Sequence, residues 1–202
     1  MGRIASFLAV GEQPWARLMV RSVKRHTGYP VVQMSDEDTR EVPGVDAVVR
    51  IPREGMGLMS YRLLHLADFA HEEMLILDAD VIMKASVDDV WERAFDVALC
   101  QREPGRVLYR DEDIAPLMPF NTGVMFSRSN AFWKHCSVWL EEQTPDKKVW
   151  WGDQLAVAAM APKFHTLVLP SKEFNWTPDS ADQESAARAY HYKGLRKAWI
   201  RP

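Results

Sequence analysis

Hydrophobic and polar positions alternate along this chain in two periods, and the order of those periods predicts the architecture. Ile4 to Val10 is a short apolar run closed by Gly11, which reads as a buried strand ending in a turn. From Trp15 to His26 the apolar residues Trp15, Leu18, Met19 and Val23 recur at three- and four-residue steps between Arg17, Arg21, Lys24 and Arg25. That pattern predicts an amphipathic helix opened by Pro14 and finished near Gly28. Val31 to Met34 and Ala47 to Ile51 read as strands, separated by an acidic turn from Ser35 to Glu41. A strand, a helix and a further strand in succession predict a parallel α/β arrangement.

The alternation continues. Ser60 to Ala70, with Leu63, Leu64, Leu66 and Phe69, suits a helix on whose surface His65 and His71 are expected. Met74 to Leu77 is a continuous apolar strand that stops at Asp78-Ala79-Asp80. Further strands are expected at Val97 to Gln101, Gly123 to Ser127 and Thr166 to Leu169, and helices at Ala131 to Glu142 and Asp153 to Met160. No linker, repeat or low-complexity stretch interrupts the series, so one α/β domain over residues 1–202 is expected, with a mostly parallel central sheet flanked by helices.

Composition narrows the function classes. The apolar share is 47% and the charged share 26%, values of an ordinary globular chain. The net charge of −3 supplies no general basic field for holding a nucleic-acid backbone. Cys100 and Cys136 lack the CxxC spacing of a zinc site or redox motif, which points to a reducing, cytoplasmic setting. No apolar run approaches the roughly 20 residues that span a bilayer.

The candidate chemistry sits at a strand end. Ligands collect at the carboxyl edge of an open α/β sheet, and Asp78 and Asp80 lie there with only a small residue between them. Two hard carboxylates so placed suit Mg²⁺ or Mn²⁺ held together with substrate phosphates. Near the C-terminus His191, Gly194 and Lys197 offer an imidazole ligand, a position where backbone can approach a ligand closely, and a charge for phosphate. Residues 188–202 carry Arg188, Lys193, Arg196, Lys197 and Arg201 with no acid, a candidate anion site or a solvated basic tail. The six tryptophans from Trp133 onward are either core or a wall for stacking sugars. Asp36, just past the second strand, stands where a doubly wound sheet reads a nucleotide base or ribose, or is simply part of a polar turn.

These pieces resemble a known family. Asp78-Ala79-Asp80 looks like the DxD motif of GT-A glycosyltransferases, and His191-x-x-Gly194-x-x-Lys197 with Trp199 is similar to the HxxGxxKPW segment of family-8 glycosyltransferases, the glycogenin and bacterial galactosyltransferase group. Phe120-Asn121-Thr122-Gly123-Val124, Gly152-Asp153-Gln154 and Phe174-Asn175-Trp176 resemble further elements of that family, in its order. Two departures are plain: Ala198 stands where the family has Pro, and the chain is short for the family.

The resemblance implies a metal-dependent, Rossmann-like GT-A enzyme that takes a sugar from a nucleotide-sugar donor, a UDP-sugar, with retention of anomeric configuration. Asp78, Asp80 and His191 would hold Mn²⁺ or Mg²⁺, with Asp78 also touching the donor ribose. Lys197 and the backbone at Gly194 would meet the diphosphate. Arg62 and Asn121 would hold the donor, and Asp153 and Gln154 would sit at the reacting sugar. The acceptor stays open: a glycan, a protein, a small molecule or a modified nucleic acid. Two alternatives compete. One is a GT-A-like module that binds a nucleotide sugar or a glycan without turnover. The other is a haloacid-dehalogenase-type phosphatase, whose nucleophile motif Asp78-Ala79-Asp80-Val81 also resembles; against it, 77 residues precede the motif and no second acid follows Asp153 in its helix.

Overall fold

The computed structural model describes residues 2–69 and 73–201. Eleven strands and five α-helices occur in the described residues: β1 (Ile4–Leu8), α1 (Ala16–His26), β2 (Val31–Ser35), β3 (Ala47–Arg50), α2 (Leu58–Asp68), β4 (Met74–Leu77), β5 (Val81–Met83), β6 (Val97–Gln101), β7 (Leu108–Tyr109), β8 (Glu112–Asp113), β9 (Phe120–Ser127), α3 (Asn130–Glu141), α4 (Gly152–Met160), β10 (Thr166–Leu169), α5 (Ser171–Phe174) and β11 (Ala189–His191). Seven strands form the central sheet in the order β10-β6-β9-β4-β1-β2-β3. Only β9 runs antiparallel, against both β4 and β6. The remaining neighbours are parallel, as the sequence pattern predicts.

Alternation along the strands divides the apolar residues between two layers. In β4, Leu75 and Leu77 join the core beneath α1, with Met19, Val20, Val23, Phe7 and Phe126. Met74 and Ile76 point to the other face and pack with Leu63, Leu66, Phe132, Trp133 and Leu140 of α2 and α3. A central strand covered on both faces has to be apolar throughout, which accounts for its unbroken run.

Three expectations need correction. The buried stripe of α1 is Ala16, Met19, Val20 and Val23, while Leu18 is only half-buried, so the helix is rotated slightly from the expected face. His65 is not a surface residue: it is wholly buried in α2, with the Tyr61 ring 4.5 Å away and the end of β2 at Ser35 and Asp36 beside it. His71 and the end of the expected helix at Ala70 lie outside the described residues. β9 begins at Phe120 rather than Gly123, and the short β5 and β11 have no counterpart in the hydrophobic pattern. Among the described residues no helix is long and apolar enough to cross a membrane, and Cys100 and Cys136 are free and buried.

The burial of His65 has a measurable consequence. Desolvation pushes its imidazole down to about 4, whereas in the unfolded chain it titrates at its ordinary value of 6.5. Between those values the unfolded chain binds a proton that the native protein excludes, so stability falls as pH is lowered, by about 3 kcal/mol across the window. Urea unfolding at pH 7 and pH 4.5 should show the wild type losing stability relative to His65→Phe. A difference that does not change with pH would mean that the buried imidazole carries its proton in the folded state.

Candidate active site

The strand order changes direction beside β1, between β4 on one side and β2 on the other, and the candidate residues collect at the carboxyl edge there. Asp78 and Asp80 leave the end of β4, and the chain continues at once into β5. β11 pairs antiparallel with β5, setting His191 opposite Val81. The Tyr192 N–H donates to the Asp80 carbonyl at 3.1 Å, which locks the tail of the chain beside the acid pair. His191 Nε2 lies 3.2 Å from Asp80 Oδ1 and 3.4 Å from Asp78 Oδ2. One ligand atom from each of the three lies within 4.8 Å of the others.

A chain of amides orients the imidazole. The Asn121 Oδ1 atom accepts from the Gly123 N–H at 3.1 Å and from Asn175 Nδ2 at 2.6 Å. The Asn175 side chain therefore presents its carbonyl to His191 Nδ1, 2.8 Å away. With Nδ1 held by that carbonyl, Nε2 is turned toward the two carboxylates: protonated, it donates to them, and without that proton its lone pair is placed to ligate a cation, as in metal-ligating histidines. Gly123 makes room for the ring: a Cβ there would lie 2.2 Å from His191 Cε1. The glycine of the Asn-Thr-Gly segment is thus a requirement of the histidine 68 positions later. Burial by itself would raise the Asp80 carboxyl, but hydrogen bonding and charge from His191 and Lys197 outweigh it and hold it at about 2. Lys197 Nζ is 3.1 Å from Asp80 Oδ2. The 3-10 turn Gly194–Trp199 carries that lysine back over the acids, and its first residue adopts φ +58°, where glycine is favoured.

Beneath the acid pair runs a buried ionic network. Arg62 of α2 reaches Asp78 Oδ1 at 2.8 Å and Asp153 Oδ2 at 2.9 Å, and donates to the Thr122 carbonyl at 2.8 Å. Asp153, in the first turn of α4, also accepts from Thr122 Oγ1 at 3.0 Å and from the Gln154 N–H at 2.9 Å. Burial pushes the Asp153 carboxyl up while Arg62 draws it down. Burial likewise opposes the charge on Arg62, but Asp78 and Asp153 raise its pKa overall, so the guanidinium keeps its proton. Gln154 accepts a hydrogen bond from Arg102, whose Nε donates to the Met118 carbonyl at 2.6 Å.

Arg62, Asp78, Asp80, Asn121, Asp153, Gln154, His191, Gly194 and Lys197 all line one open cleft of about 400 Å³. The structure therefore brings every candidate site residue together. Thr122, Trp150 and Lys193, named in the sequence only within a motif, an aromatic set and a basic tail, line the same cleft, and so do Gln13 and Arg102, which sequence reasoning passed over. Arg102 follows directly on β6, so the strand-end argument applied to Asp78 would have found it. A second hollow of about 820 Å³, over the ends of β1 and β2, shares Gln13 with the cleft and includes Asp36, which accepts from the Thr39 N–H.

The basic tail is only partly an anion site. Arg188 pairs with Asp89 and Glu173, Arg196 lies 3.7 Å from Asp179, and Arg201 lies 3.7 Å from Asp182. Lys193 and Lys197 alone of the five line the cleft. A wall of stacking tryptophans is not formed either: Trp133 and Trp151 are core, and Trp150 is the one of the six that lines the cleft.

Comparison with solved structures places this geometry on a known scaffold. The galactosyltransferase LgtC, solved with donor and acceptor sugar analogs, superposes with a TM-score of 0.66 at 16% identity over 98% of this chain and 89% of its own. The glycosyltransferase GlyE of Streptococcus pneumoniae TIGR4 gives 0.65 at 14% identity over 98% of this chain and 59% of its own. The bifunctional glycosyltransferase WbbM gives 0.65 at 11% identity over 95% of this chain and 45% of its own. No protein-family model and no curated protein sequence matches significantly. The chain has the GT-A glycosyltransferase fold.

Proposed function

We propose that this protein is a single-domain, metal-dependent glycosyltransferase related to family 8. It takes a sugar from a nucleotide-sugar donor, a UDP-sugar, and passes it to an acceptor hydroxyl with retention of configuration. The observation that carries this reading is the meeting of Asp78, Asp80 and His191 at the cleft beside β1, with Lys197 against Asp80. Two carboxylates and an imidazole whose Nε2 is turned toward them are a donor set that fits Mn²⁺ or Mg²⁺ once that nitrogen is unprotonated. Bound there, the cation supplies Lewis-acid stabilisation of the leaving diphosphate.

The remaining roles follow from contacts. Lys197, next to Asp80, adds a point charge for the diphosphate. Arg62 is tied to Asp78, Asp153 and Thr122, so it holds the acid pair in place and presents its edge to the donor. The Asp153 oxygens are engaged by Arg62, Thr122 and the Gln154 N–H, which makes Asp153 a positioning residue rather than a nucleophile. Gln154, at the start of α4, keeps its amide NH₂ available to the sugar while its oxygen takes the Arg102 hydrogen bond. Among the described residues the carboxylates that line the cleft, Asp78, Asp80 and Asp153, are all engaged by Arg62, His191 or Lys197, so the acceptor oxygen forms its bond to the anomeric carbon as the bond to the diphosphate breaks. The electron pair leaves on the diphosphate, which also takes the hydroxyl proton. The hollow shared at Gln13 receives the nucleotide base. Two free, buried thiols support a reducing, cytoplasmic setting.

A thermal-shift panel of UDP, GDP, CDP and their sugars, each with and without Mn²⁺, tests the reading. Ligand at a hundred times its Kd stabilises the native state by about 2.7 kcal/mol, so UDP with Mn²⁺ should raise Tm by several degrees. No shift with any nucleotide would end the proposal. Binding without consumption of the nucleotide sugar would define a binding module instead.

A further inference from the structure

Not every cation of the cleft has an acid to face. Arg62 meets Asp78 and Asp153, and Lys197 meets Asp80. Arg102 and Lys193 line the same cleft, and among the described residues neither has a carboxylate within ion-pair distance. Arg102 is held only by neutral acceptors, the Met118 carbonyl and the Gln154 amide oxygen. Lys193 is half-buried beside the acid pair. Two partly buried cations lining one cleft, neither with a carboxylate at ion-pair distance, leave room for one negative charge from a ligand.

Their place in the cleft says which substrate brings it. Gln154 separates Arg102 from the Arg62 network that holds the acid pair, so Arg102 lies beyond the reacting sugar as seen from the metal ligands. A further hollow of about 470 Å³ begins at the next residue, Glu103, and takes in Trp176 and Thr177. The Trp176 carbonyl accepts from the His191 N–H at 2.7 Å, so this hollow abuts the metal ligands' far side. The Thr177 hydroxyl is buried there with no hydrogen-bond partner. An aromatic ring lining an open hollow, as Trp176 does here, is a feature that binds a carbohydrate.

We propose that Arg102 and Lys193 are the anion subsite for the acceptor: the acceptor is a sugar or glycan bearing a carboxylate or phosphate near the hydroxyl that receives the transferred sugar. The assignment rests on the glycosyltransferase reading above. It explains why Arg102 is braced from both sides and why Lys193 stands unpaired in a segment whose other arginines are all matched with acids.

The test uses the full chain saturated with Mn²⁺ and UDP, or with whichever nucleoside diphosphate stabilises it most. Glucose 6-phosphate, glucuronate and glucose are then titrated by ligand-observed NMR. The acidic probes should bind at least about tenfold more tightly than glucose, without displacing UDP. Arg102→Met and Lys193→Met should each reduce that preference to about twofold, while Arg102→Lys and Lys193→Arg retain most of it. Equal binding of acidic and neutral probes would overturn the proposal. So would a loss of UDP affinity in the Met variants that parallels the loss of preference, because the two cations would then serve the diphosphate. A preference for acidic over neutral nucleotide sugars, with none among acceptors, would move the charge to the donor and overturn the acceptor assignment. Failure of any nucleoside diphosphate to bind with Mn²⁺ is a separate result, and it would remove the underlying reading as well.

Discussion

Replacing Asp80 by Asn is expected to abolish Mn²⁺-dependent binding of UDP. The substitution keeps the shape of the side chain and removes the charge that His191 and Lys197 both face at 3.2 and 3.1 Å. A hard divalent cation selects anionic oxygen donors, so loss of one of two carboxylates should weaken metal-assisted binding by at least about a hundredfold. Calorimetry with and without Mn²⁺ measures the effect directly, and the melting temperature without ligand reports whether the fold survives. Undiminished metal-dependent binding in a folded Asp80→Asn variant would refute Asp80 as a ligand.

The second large effect concerns stability. Arg62→Met removes the cation from a network in which the Arg62 and Asp153 side chains are only 8% and 3% exposed. Asp153, pushed up by burial, loses the charge that keeps it ionised, and the Thr122 carbonyl loses its donor. Breaking a buried pair by deleting one partner costs about 3–5 kcal/mol, because the surviving charge stays desolvated. Urea unfolding of Arg62→Met should show a loss of that order, and the double variant Arg62→Met/Asp153→Leu should recover part of it. A loss below about 1 kcal/mol, the range of exposed pairs, would mean that water reaches the network.

Much of this was legible before the structure. The succession of strand, helix and strand marked a parallel sheet, and the unbroken apolar run of β4 marked a strand covered on both faces. The acid pair was legible because its strand ends so abruptly. Other features were hidden for a physical reason. β5 and β11 have three residues each, and their pairing joins positions more than a hundred residues apart, for which hydrophobic periodicity carries no signal. His65 read as surface because a polar residue type gives no apolar signal, whereas in the fold its ring lies against Tyr61 and the end of β2. Leu18 and Val20 exchanged places in the expected stripe because adjacent apolar residues leave the angle of a helix undetermined until it packs.

Local order, then, belongs to the amino-acid sequence: which segments are strands and which are helices, that the sheet is mostly parallel, and that carboxylates, an imidazole and a lysine stand at ends of elements. Those properties depend on neighbours within a few residues, and side-chain spacing reports them. The tertiary structure decided which charges meet. It matched four of the tail's five cations with acids, Lys197 with Asp80 inside the cleft, and left Lys193 facing that cleft without one; it closed Arg62 among Asp78, Asp153 and Thr122; and it set the Gly123 backbone against the ring of His191. Electrostatic and steric partnership depends on distance through space, which the chain acquires only when its sheet and the β5–β11 ribbon bring distant segments together.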